Sequence, residues 1–190
     1  LDNLTGPGKI FVCSAGNNGQ DSIHIQKTFN SSDTLVQSFL SIADSPEGQK
    51  TWVDIWGDSS KTFCVTVSLV SNGIVSTTGS VCLQDSTYEF YLIGTNSDTC
   101  LVRFVTTPSD FNGKPRVFLD FDNNATDSIL ISITGTDGMI NMWNSFVSNT
   151  SGYYGAFRSY NKPNTVNGDN ELTVSDIAST ISAISVGAYA

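Results

Sequence analysis

A mostly β fold is what this sequence predicts, with a jelly-roll-like antiparallel β-sandwich over residues 20–160 and almost no helix between 21 and 158. Three observations predict it. Apolar and polar residues alternate with period two in one run after another, the pattern of a strand with one face buried and the other wet. The runs are short, and clusters of Gly, Asn, Asp, Ser and Pro separate them. Strong amphipathic helical periodicity is absent from the same stretch. Many close-spaced strands without helices fold as two packed sheets.

Taken in order, "SIHIQKTF" and "LVQSFLSI" are the first two runs, and "TWVDIW" follows the turn signal "SPEG". After "GDSS" comes "TFCVTVSLV", where Phe63, Val65, Val67 and Leu69 share one face and Cys64, Thr66 and Ser68 the other. "YEFYLIG" and "CLVRFV" stand on either side of "GTNSD". Beyond "FNGK", "RVFLDF" groups Val117, Leu119 and Phe121. Beyond "DNNATD", "SILISITG" groups Ile129, Ile131 and Ile133, and "GTDG" leads into "GMINMWNSF". An immunoglobulin-like sandwich is the nearest rival, because strand order is not legible in a linear pattern.

The chain has 190 residues, enough for one buried core, or for one domain plus fragments of another. Acidic side chains outnumber basic ones by 18 to 9, for a net charge of −9. That balance argues against nucleic acid and against an anionic membrane surface, both of which call for a basic patch. No apolar run reaches the length of a membrane span. No signal peptide opens the chain, and its start at Leu1 is expected of a chain that begins inside a longer protein.

The cysteines are Cys13, Cys64, Cys82 and Cys100, without a C-x-x-C pair, and His24 is the single histidine. A closed zinc site is therefore not expected. Cys13, Cys64 and Cys100 sit in or beside apolar runs and read as buried free thiols. A Cys64–Cys82 or Cys82–Cys100 bridge stays open, and the redox compartment with it.

No cofactor is expected. In "DFDNNATD", Asp120, Asp122 and Asn124 match the first three ligand positions of a calcium loop, with Asp127 close behind. Ala125 stands where that loop has Gly, and Ile131 where it has its distant Glu. The segment reads as a polar turn, with calcium as the alternative. Trp52, Trp56, Trp143, Tyr153 and Tyr154 have flat faces able to stack on sugars, but are expected to fill the sandwich core or its rim.

The two ends do not share the pattern of the middle. "KIFVCSAGNNG" is an apolar strand that runs into a loop of small residues and Asn, which leaves its backbone approachable. The tail passes through the polar turns "NKPNTVNGDN" to the short apolar run in "ISAISVGAYA". In this order the two segments resemble subtilisin-like serine proteases, in which a buried strand ends in Ala-Gly-Asn-x-Gly and the next core strand ends in Val-Gly-Ala. The resemblance covers residues 1–19 and 161–190 only. It implies short flanks of an α/β core around an inserted sandwich, with "KIFVCS" and "AISVGA" side by side as parallel strands. It assigns Asn17 as the oxyanion-hole donor, and Ala15 and Gly16 as the floor of the pocket for the residue before the scissile bond. The bland alternative is a strand-ending turn, which Asn-Gly favours on its own.

Such a protease needs an Asp, a His and a Ser acting together. The family's His-Gly-Thr and Gly-Thr-Ser-Met-Ala motifs are absent here. His24 is followed by Ile25 in an alternating run and reads as a strand residue. The resemblance thus implies a fragment of a secreted, periplasmic or cell-surface endopeptidase, inactive alone, whose parent acts on peptide or protein substrates. The insert would govern substrate access, stability or partner binding. Two alternatives stand beside it: a non-catalytic carbohydrate- or protein-binding module, and a pseudoprotease scaffold. Truncated core strands would also leave open edges, on which a dimer of two copies would be an artefact of the boundaries.

Overall fold

The computed structural model describes residues 11–14, 22–42, 49–108, 112–146, 155–171 and 183–186. All regular structure among them is β. The strands are β1 (Phe11–Ser14), β2 (His24–Phe29), β3 (Leu35–Ser41), β4 (Gln49–Gly57), β5 (Phe63–Val70), β6 (Ile74–Thr77) and β7 (Val81–Cys82). They continue with β8 (Thr87–Ile93), β9 (Thr99–Val105), β10 (Arg116–Asn123), β11 (Ser128–Gly135), β12 (Gly138–Phe146), β13 (Ala156–Arg158) and β14 (Ala183–Val186). Every run picked out by its alternation in the middle of the sequence is a strand.

Two antiparallel sheets form a sandwich. One has the order β2-β12-β4-β10-β9-β8, the other β13-β3-β11-β5-β6 with β7 also on β5. Early strands pair with late ones: β2 with β12, β3 with β11, β4 with β10. Successive strands therefore often change sheet. At the β11–β12 crossing the turn places Gly138 at φ 82°, a conformation that a side chain disfavours.

The inward residues are those the period-two pattern groups together. Phe63, Val65, Val67 and Leu69 of β5 are at most 2% exposed, and face Ile131 and Ile133 of β11 across the ladder. From the other sheet come Val53, Ile55, Val102, Phe104, Val117, Leu119 and Phe121, all buried. Each such side chain contributes about 1.5–3 kcal/mol by leaving water. Gly135 ends β11 where a Cβ would stand 2.6 Å from the Phe29 ring, so the missing side chain makes room for that ring.

The cysteines correct the expectation of free thiols. Alternation turns Cys64 away from the core face of β5, and it lies opposite Cys82 in the β5–β7 ladder with Cα atoms 4.1 Å apart. The two form a disulfide, which points to an oxidising, extracellular environment. Cys100 is a buried free thiol, as expected. The Cys13 side chain lies outside the described residues.

The ends form a separate parallel pair, β1 with β14, in the register Phe11↔Ala183 to Ser14↔Val186. This is the side-by-side arrangement expected of "KIFVCS" and "AISVGA". The α/β character expected of the flanks is not seen: the described residues contain no helix. The sandwich also reaches past residue 160. Val166 N–H donates to Gln37 O at 2.9 Å, Ser38 Oγ donates to Val166 O at 2.9 Å, and Asp169 bridges His24.

Candidate functional site

Ser14 and Val186 are register partners at the carboxyl ends of two parallel strands. Ligands approach parallel sheets at their carboxyl ends, where strands give way to loops. Ala15, Gly16 and Asn17 themselves lie outside the described residues, as do Tyr153 and Tyr154.

His24 sits in β2, as its alternating context predicts, and is completely buried. Its Nδ1 meets Asp169 Oδ1 at 2.6 Å, and its Nε2 faces Asn141 Oδ1 at 3.1 Å. The ring centroid is 5.1 Å from that of Trp143. Both ring nitrogens are engaged and the ring is closed off from solvent, which is the geometry of a structural group.

The four calcium candidates do not converge. Asp120 pairs with Arg103 Nη1 at 3.1 Å, and Asp122 with Lys50 at 3.3 Å. Asn124 N–H donates to Thr99 O at 2.9 Å. Asp127 accepts from the Thr95 N–H at 2.6 Å and from the Thr95 hydroxyl at 2.8 Å. The carboxylates thus brace the sheet and tie the β10–β11 turn to the β8–β9 hairpin. Among the described residues no three His, Cys, Asp or Glu side chains could hold a metal ion.

The tryptophans are expected to fill the core or its rim. Trp52, Trp56 and Trp143 do not fill the core; they alternate with the buried Thr51, Val53, Ile55 and Met142 on β4 and β12 and so face outward. Trp52 is 36% exposed and packs on Phe118 with ring centroids 5.8 Å apart. Arg116 lies over Trp56 and Phe118 and forms a two-pronged bridge to Asp54 at 2.8 and 2.9 Å. Sequence reasoning named the tryptophans as rings able to stack on sugars but missed their cluster with Arg116, Asp54 and Phe118. Its signal was the alternation itself, which set each Trp out of phase with the core residues.

Cys100 is no nucleophile either. Burial, and then the charge of Asp122, push its thiol up to about 12, which keeps it protonated.

Together these features define a β-sandwich domain set between the strands of a parallel pair. No family model matches the chain, and no curated protein matches it. Among solved structures it is similar to the Clostridium perfringens CspB protease, with a TM-score of 0.69 and 17% identity. The match covers 95% of this chain and 35% of that one, so the chain spans about a third of that structure's length. At this identity the likeness is one of fold.

Proposed function

We propose that the chain is a segment of a secreted subtilisin-like serine endopeptidase, with a jelly-roll insert between two core strands. One observation carries the reading: the two ends that bear the family-like motifs pair in parallel, although the whole sandwich separates them in sequence. The similarity to a protease over 95% of the chain supports it. The nested pairing of early with late strands supports a jelly roll over an immunoglobulin-like order. In this reading residues 1–19 supply the oxyanion segment, residues from about 170 return to the core, and the insert governs access to the cleft. Asn17 is the amide donor, and Ala15 and Gly16 line the adjoining pocket. In this reading the segment, whose sequence lacks the family's His-Gly-Thr and Gly-Thr-Ser-Met-Ala motifs, does not hydrolyse peptides alone.

The test is Asn17→Ala in the whole protein. The donor meets charge that exists only in the transition state, so its loss lowers kcat and leaves KM nearly unchanged. The expected loss is roughly a hundred- to a thousandfold, the size seen when subtilisin itself loses its oxyanion-hole Asn. Normal turnover by folded Asn17→Ala enzyme would remove the reading. The outward cluster of Trp52, Trp56, Phe118 and Arg116 favours a second reading, a binding module for carbohydrate or protein. Binding of a glycan or protein by this chain, with no hydrolysis by the whole protein, would select it.

A further inference from the structure

An Asn followed by Gly carries a reaction of its own, because the Gly backbone nitrogen can close a succinimide ring on the Asn carboxamide carbon. In a folded chain closure has conditions. The Gly N–H must be free to give up its proton, the carboxamide free to turn toward it, and the backbone free to rotate. Gly helps with the last, having no Cβ to crowd the ring. Among the described residues the pairs are Asn72-Gly73, Asn112-Gly113 and Asn167-Gly168. The fold treats them differently. At Asn167-Gly168 every condition fails. Gly168 N–H donates to Phe157 O at 3.0 Å, and Asn167 Oδ1 accepts from Ser159 N–H at 2.8 Å. There the chain leaving the sandwich runs against the chain entering it, a neck in which a Cβ on Gly168 would stand 2.3 Å from Ser22 O. At Asn112-Gly113 the glycine is open, but Asn112 Oδ1 is held by Lys114 N–H at 3.0 Å.

Asn72-Gly73 forms the exposed turn between β5 and β6 and meets every condition. Neither the Gly73 N–H nor the Asn72 carboxamide has a hydrogen-bond partner. Nothing lies within 4 Å of a carbon added to Gly73. One bond ties the turn, from Ser71 N–H to Gly73 O at 3.1 Å, and β6 beyond it is an edge strand whose pairing with β5 shifts between Leu69 and Val70. We propose that Asn72 is a site of spontaneous deamidation, selected by the fold over Asn112 and Asn167. The Gly73 nitrogen gives its proton to water and attacks Asn72 Cγ. The new N–Cγ bond forms as the Cγ–Nδ2 bond breaks, and Nδ2 leaves as ammonia. Water then opens the ring at either carbonyl, to give an ordinary aspartyl link or an isoaspartyl link that carries the backbone through the former side chain. Nothing is oxidised or reduced, and water is the sole co-reactant. Both products add a carboxylate to a chain of net charge −9. The isoaspartyl form also lengthens the backbone in the turn that sets β6 on β5. The Cys64–Cys82 disulfide keeps β7, the next strand along, on β5, so the loosening is confined to β6.

The test is to age the full chain in warm, mildly alkaline buffer and to map its peptides by mass spectrometry. The peptide that holds Asn72 is expected to convert first, to a mixture of aspartyl and isoaspartyl forms. Conversion at Asn112 follows more slowly. Conversion at Asn167 lags Asn72 on the order of thirtyfold, the factor set by opening its hydrogen bonds to Phe157 and Ser159. In urea the fold no longer discriminates, and the three sites convert at similar rates. Gly73→Ala, whose methyl enters open space and crowds only the ring closure, should abolish conversion at Asn72 over the same period and leave the fold unchanged. Hydrogen exchange of the aged protein should be faster in Ile74–Thr77 and unchanged in β11. An Asn72 that outlasts Asn112 or Asn167 in the folded chain, or a spread of rates that persists in urea, overturns the selection by the fold. Equal exchange in fresh and aged protein overturns the loosening of β6. None of these readouts depends on the protease reading given above.

Discussion

Arg116 and Asp54 face each other across neighbouring strands of the outer sheet surface, with Nε–Oδ1 at 2.8 Å and Nη2–Oδ2 at 2.9 Å. The same guanidinium lies 5.2 Å from the Trp56 ring and 5.4 Å from that of Phe118. The bond to Asp54 raises the guanidinium above its ordinary value, against an opposing effect of burial. A group held above its unfolded value contributes at every pH below that value, so the guanidinium's part does not vary through the neutral range. Both side chains are partly exposed, which screens the pair. Arg116→Met is expected to lower stability by about 1 kcal/mol. Arg116→Lys restores the charge but not the fork, and recovers only part of it. Urea midpoints of the three proteins check both statements.

The disulfide joins residues 18 positions apart and ties β7 to β5. Closing a loop of that length removes unfolded-state entropy worth about 3 kcal/mol. Reduction, or the double change Cys64→Ala with Cys82→Ala, should lower the unfolding free energy by that amount, read as a lower urea midpoint multiplied by the slope of the transition. A reductant should have no further effect on the double variant. Equal midpoints with and without reductant would mean that the bond does not form in solution.

Cys100 gives a pH dependence with a definite sign. Its unfolded thiol ionises near the ordinary value of 9.0, while the folded one holds its proton to about 12. Its contribution is complete below the unfolded value and is lost as pH rises toward the folded one. Between those limits stability should fall by on the order of 1.4 kcal/mol per pH unit from this group. Cys100→Ala removes that slope. The difference between wild-type and variant urea midpoints at pH 8 and at pH 11 isolates it from lysine and tyrosine titration.

Gly168→Ala should be costly because the obstacle is backbone. Its Cβ would meet Ser22 O at 2.3 Å and the Ser22 carbonyl carbon at 2.8 Å. Separating the entering and leaving strands to admit it should cost roughly 1–3 kcal/mol. Gly73→Ala is the control, since nothing lies within 4 Å of that added carbon. Thermal melts of the two variants should differ clearly, and equal melts would show that the neck relaxes freely.

The sequence alone determined the strands and which of their faces are buried. Both follow from local physics: a pleated chain alternates its side chains, and Gly, Asn and Asp mark where it turns. Phe63, Val65, Val67 and Leu69 needed nothing more to be placed in the core. The motif-bearing ends were legible too, as far as their expected parallel pairing. Tertiary structure alone decided which strand lies beside which, and every property that depends on it. Cys64 meets Cys82 and not Cys100 because β7 pairs with β5, while Cys100 points into the core from the other sheet. Asp120 meets Arg103 because β10 lies beside β9, and so it braces the sheet. His24 finds Asp169 only because the leaving strand folds back over the entering one, across 145 positions of sequence. Pairings at such range leave no local period, since they depend on the loop closures and packing of the whole sandwich.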